Sequence, residues 1–102
     1  MNLRRVVIRV DSFVWNFERG RNVEHVARHQ LTPGDVDSVL DHAPLFFRNV
    51  PGRTATHVMV GRDSQGRALW VGIVRTGKNG EWYPITAMEH RQMRRFLEER
   101  GL

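Results

Sequence analysis

His25 and His29 stand four residues apart in RNVEHVARHQ, the spacing at which a helix presents two imidazoles on one face. Zinc enzymes use this spacing, but their motif also carries a glutamate directly after the first histidine, and here that place holds Val26. His42, His57 and His90 fall on other elements, so no third ligand is set by spacing. The pair is read as part of a binding face, and no metal or other cofactor is expected. Arg21 and Arg28, seven apart on the same predicted helix, extend that face into a basic stripe suited to an RNA backbone or an acidic protein segment. His29 is also a candidate for positioning an active site.

The chemistry such a face could serve is metal-free RNA cleavage. It needs a base for the 2′-hydroxyl proton, cations for the charge on phosphorus, and an acid for the leaving oxygen. In TATHVMVGR, strand alternation puts His57 on one face with Ala55, Met59 and Gly61. His57 is either the general base, since imidazole titrates near working pH, or a half-buried structural histidine. In GRALWVGIVRT, Leu69, Val71 and Ile73 mark a buried face with Arg67 and Arg75 at its margins. Arg67 is a candidate phosphate clamp, and equally a hairpin cap or a partner of Asp63. Trp70, Trp82 and Tyr83 stack on bases or pack the sheet. Arg53 and Tyr83 join Arg21, His25 and Arg28 as candidate RNA-binding or partner-binding residues.

The 102-residue chain fits one domain, 1–102, with 40% hydrophobic and 26% charged residues. It lacks cysteine, which excludes disulfides, iron–sulfur clusters and thiolate zinc sites and fits a reducing cytoplasm. The opening MNLRRVVIRVDSF is interrupted by Arg9 and Asp11, too early for a signal-peptide core, and no apolar run is long enough to span a membrane. The net charge is +5, and Lys78 is the single lysine among 16 basic residues. An arginine-rich surface suits phosphates, suits an acidic protein partner, or serves solubility alone.

Residues 3–10 are rich in β-branched side chains and read as a strand that can continue through Phe13-Val14-Trp15. Val23, Val26 and Ala27 predict a short helix from about Arg19 to His29, with Asn16 available as a cap. Thr32-Pro33-Gly34-Asp35 starts a second helix whose stripe is Val36, Val39 and Leu40, stopping before Pro44. Strands follow at 54–62, 67–76 and 81–87, with a weaker one at 45–50. The turns Asp63-Ser64-Gln65-Gly66 and Gly77-Lys78-Asn79-Gly80 suit hairpins. Thr86-x-x-Glu89 reads as the capping box of a last helix with stripe Met93, Phe96 and Leu97, ended by Gly101. The expectation is an α+β fold, an antiparallel sheet of three to five strands packed by two N-terminal helices and one C-terminal helix.

Phe13-Val14-Trp15-Asn16, Arg21-Asn22, Arg28-His29, the capped Thr32-Pro33 helix closing on Asp41 and Pro44, Val60-Gly61, Gly66-Arg67-x-Leu69 and Ile85-Thr86-Ala87 occur in that order. Together, over roughly residues 13–97, they resemble the BrnT-type toxins of type II toxin–antitoxin systems. The resemblance implies a RelE-like fold, a small metal-independent endoribonuclease that inhibits translation, and neutralisation by a DNA-binding antitoxin with an acidic segment. The chain departs from the family's pattern at Gln30, where glycine is common. It departs again at Tyr83 and Met88, where arginines flank the Ile-Ser/Thr-Ala core, and at Gln92, Met93 and Phe96 on the last helix. Those departures set a second expectation beside the first: a catalytically inactive module of the same fold that binds RNA or a partner protein.

Overall fold

Three strands joined by tight turns form the centre of the molecule. In the computed structural model, which describes residues 3–102, β4 (His57–Arg62), β5 (Ala68–Arg75) and β6 (Glu81–Glu89) make an antiparallel meander. Gly66 and Gly80 close its turns at φ +81°, a conformation that favours glycine. β3 (Leu45–Arg48) adds antiparallel to β4, pairing Leu45 with Val60 and Arg48 with His57.

The N-terminal run differs from the single strand expected over 3–10. Only Arg5–Val6 forms β1, antiparallel to β3, after which the chain crosses one face of the sheet. Ser12–Phe13 then forms β2, parallel to β6 at the opposite edge. The sheet is therefore mixed and six-stranded, ordered β1-β3-β4-β5-β6-β2, not the antiparallel sheet of three to five strands expected.

Helices cover both faces. Met59, Leu69, Val71, Ile73, Trp82 and Ala87 are buried beneath Val26, Leu31, Val36 and Val39. These come from α1 (Asn22–Ala27), α2 (Pro33–Ser38), the turn between them and a 3-10 turn (Val39–His42). On the other face, Val58, Val60, Ala68, Leu45 and Phe47 pack against Met93 and Leu97 of α3 (Arg91–Glu98). Gly61 lets the 3-10 turn lie against β4, because a Cβ there would stand 2.8 Å from Val39 Cγ1 and 3.1 Å from Pro44 Cβ.

α2 begins at the expected capping box: Thr32 Oγ1 accepts from the Asp35 amide at 3.1 Å, and Asp35 Oδ2 accepts from the Thr32 amide at 2.9 Å. α1 is shorter than 19–29. Arg21 is its N-cap, in extended backbone, and Arg28 its C-cap, so the two arginines bracket the helix. The helix closes through Leu31 N–H to Val26 C=O at 3.1 Å and Gln30 N–H to Ala27 C=O at 3.0 Å, with Gln30 left-handed at φ 58°. α3 starts later than Thr86. Residues 86–89 stay in β6 because each finds a cross-strand partner on β5, and His90 Nδ1 caps the helix by accepting from the Gln92 amide at 3.1 Å. Among the described residues, no helix is long and apolar enough to cross a membrane.

Candidate functional site

At the end of the sheet where β3 finishes and β4 begins, cross-strand register assembles a basic cluster around His57. Arg48 is its direct partner on β3, so both side chains occupy one face about 5 Å apart at Cβ. Ile73 is its partner on β5, and Arg75, two residues on, returns to that same face. Trp82, opposite Arg75 on β6, ties the group together. The His57 ring meets the indole edge-on at 5.0 Å, and the Arg75 guanidinium lies 4.6 Å from the indole centroid. Arg53 lies on the exposed loop that leads from Arg48 to His57.

His57 is 6% exposed. Burial lowers its pKa below the ordinary imidazole value, and the charges of Arg48 and Arg75 lower it further, so the ring is neutral at pH 7. Nδ1 lies 2.8 Å from Thr56 Oγ1, whose own hydroxyl can donate to the Ile73 carbonyl at 3.4 Å. In that arrangement Nδ1–H donates and Nε2 carries the lone pair. Among the described residues Nε2 has no hydrogen-bond partner, yet it is not among the polar atoms sealed from solvent. A neutral imidazole flanked by two exposed guanidiniums can take a proton beside a bound phosphate.

Arg67 stands at the opposite end of the meander. His57 and Arg62 are five residues apart on β4, about 17 Å of strand, and Arg67 precedes Arg62's partner Ala68. It therefore cannot clamp a phosphate that His57 attacks. Its Nε donates to Asp63 Oδ2 at 2.7 Å, and its Nη2 makes an ion-pair contact with Asp35 Oδ2 at 3.3 Å without hydrogen-bond alignment. Asp63 Oδ1 also accepts from the amides of Gln65 and Arg67 at 3.0 and 2.8 Å. This is the hairpin-and-Asp63 role, extended to the start of α2. Burial raises the Asp35 pKa, but its bonds from Thr32 and the charge of Arg67 outweigh that and leave it lowered.

Three of the expected binding residues do meet elsewhere. Arg21, His25 and Tyr83, with Asn22 and Ile85, line an open depression of about 230 Å³ between α1 and β6. His25 Nε2 is 3.1 Å from Thr86 Oγ1, and its ring lies 5.9 Å from that of His29, which is exposed beyond the helix. His29 thus sits with His25 and not with His57, and Arg28 is spent on an exposed contact to Glu24 at 3.5 Å. Among the described residues, no group of three or more His, Cys, Asp or Glu could hold a metal ion.

Two residues matter more than their sequence context suggested. Asn22 is 2% exposed and fully used: Oδ1 accepts from the Asn16 amide at 2.8 Å, and Nδ2 donates to the carbonyls of Val14 at 2.9 Å and Pro84 at 3.0 Å. It covers the edge of β6 beyond β2. Arg48 carried no signal except its place at the end of the weak strand LFFRNV. No protein-family model, no curated protein and no solved structure matches the chain.

Proposed function

We propose that this chain is a BrnT-like, metal-independent endoribonuclease whose reacting phosphodiester sits at the His57 end of the sheet. The observation that carries the reading is the His57 imidazole set by strand register between Arg48 and Arg75. His57 Nε2 accepts the proton of a 2′-hydroxyl, and the freed oxygen attacks the adjacent phosphorus. The two guanidiniums stabilise the charge on its non-bridging oxygens, and solvent returns a proton to the departing 5′-oxygen. The products are a 2′,3′-cyclic phosphate and a 5′-hydroxyl. An antitoxin with an acidic segment is the implied protein partner, matched by the same arginines.

The second reading, a module that binds RNA or a partner without cleaving it, is favoured by the small exposure of His57, 6%. End-labelled RNA in EDTA separates the two. Wild-type protein is expected to cleave, His57→Ala to lose about a hundredfold or more, and the Arg48→Ala/Arg75→Ala pair to lose a comparable amount. Cleavage unchanged in all variants would refute the assignment, and a folded wild type without cleavage would establish the binding reading.

A further inference from the structure

The chain crosses the sheet on the face that carries this site. β1 is anchored in the row of Phe46 and Phe47 on β3, and β2 in the row of Glu81 and Trp82 on β6. Between those anchors lie the first residue of β4, which is His57, and the last residues of β5, Ile73 to Arg75. Ile8 and Val10 pack on the face that holds Ile73 and Trp82, and Trp82 Nε1–H donates to the Arg9 carbonyl at 2.8 Å. Residues 7–11 are thus a strap across this face, joined through the Trp82 indole to the ring of His57.

The strap has no slack. From Val6 to Ser12 are six Cα steps, about 20–22 Å of extended chain. Five inter-strand spacings separate β1 from β2, about 24 Å on a flat sheet. Only the curl of the sheet lets the segment reach, so it cannot slide aside and opens only by releasing an end. Its anchors are small. Each terminal strand has two residues, reinforced by Arg48 N–H to Arg4 C=O at 2.8 Å and Asp11 N–H to Gly80 C=O at 2.7 Å.

We infer that residues 7–11 form a closure over the His57 imidazole, with Arg48 and Arg75 exposed at its margins, and that a phosphodiester, far larger than the water that reaches Nε2, gains it only after one end of the strap lifts. Its role as a gate on catalysis rests on the ribonuclease reading; its opening does not. The test follows His57 itself, by its rate of carbethoxylation with diethyl pyrocarbonate, mapped by peptide mass spectrometry. Exposed His29 and His42 are internal references. In the native protein His57 is expected to react at least tenfold more slowly than His29. Val10→Ser and Ile8→Ser, and the milder Val10→Ala, are expected to accelerate His57 severalfold to tenfold while leaving His29 unchanged. Met93→Ala, which loosens the opposite face, is the control for global unfolding. If the strap variants leave His57 slow, or if Met93→Ala accelerates it equally, the closure is overturned. RNA cleavage is read in parallel. Faster labelling without cleavage in any variant would sink the ribonuclease reading and leave the strap standing.

Discussion

Arg67→Met tests whether this arginine holds the fold or the substrate. Methionine keeps much of the buried stem and removes the guanidinium from Asp63, whose side chain is 0% exposed. Removing one partner of a buried ion pair costs about 3–5 kcal/mol. Two features lower that figure here. The Arg67 side chain keeps 24% of its exposure, and Asp63 retains the amides of Gln65 and Arg67 at 3.0 and 2.8 Å. The loss at Asp35 adds little, since that carboxylate still caps α2 through Thr32. A cost of about 2–3 kcal/mol follows, a fall in Tm of about 10–20 °C for a domain of this size. Urea unfolding at pH 7 measures it, and the cost should persist in 1 M salt, because buried pairs are screened far less than exposed ones. Adding Asp63→Asn, which removes the carboxylate's charge, should restore about 1 kcal/mol or more of the loss in a double-mutant cycle. A cost under 1 kcal/mol with RNA cleavage abolished would refute the reasoning and return Arg67 to the role of phosphate clamp.

Other perturbations have equally definite outcomes. Asn22→Leu strands the Asn16 amide and the Pro84 carbonyl and should cost about 3 kcal/mol by urea titration; a neutral effect would mean that water replaces the side chain at the β6 edge. Gln30→Gly relieves a left-handed residue at φ 58° and should stabilise by about 0.5–1 kcal/mol, read as a higher Tm. Gly61→Ala forces Val39 and Pro44 away from β4 and should destabilise by about 1–3 kcal/mol. The lowered pKa of His57 means that the unfolded chain takes up a proton first as pH falls below 6.5. Stability should therefore decline from pH 6.5 down to the folded-state pKa, and His57→Gln should flatten that decline in a pH series of unfolding curves.

Much of the sheet was legible because its signals are local. Asp63-Ser64-Gln65-Gly66 and Gly77-Lys78-Asn79-Gly80 specify turns by backbone chemistry, and the alternation through Met59, Leu69, Val71 and Ile73 specifies the buried face. The Thr32–Asp35 capping box is likewise closed within four residues. The N-terminal run departs from the expected strand for a physical reason. Ile8 and Val10 turn inward while Arg9 turns out, the period of a strand, and that period is equally met by an extended segment crossing a sheet. Thr86-x-x-Glu89 failed as a helix start because β5 offered those residues partners that no local pattern encodes. The site divides in the same way. His57 was legible as an imidazole among apolar neighbours, and Arg75 as the margin of a face. Arg48 joins them only through the β3–β4 register, and Arg67 falls at the far end of the meander, paired with Asp63 and Asp35.

Both borders of the sheet are made by one stretch of chain, residues 5–13, and this bears on how the molecule assembles. That stretch precedes in sequence the strands it covers, so a chain emerging from a ribosome exposes it before β3 or β6 exists. It can settle only after residues 45–82 have paired, which makes its docking a late, long-range event. Until then the outer rims of β3 and β6 are open to pairing with another chain. Aggregation during synthesis or refolding should therefore start from these two rims, and a peptide spanning residues 3–16, supplied in excess, should suppress it.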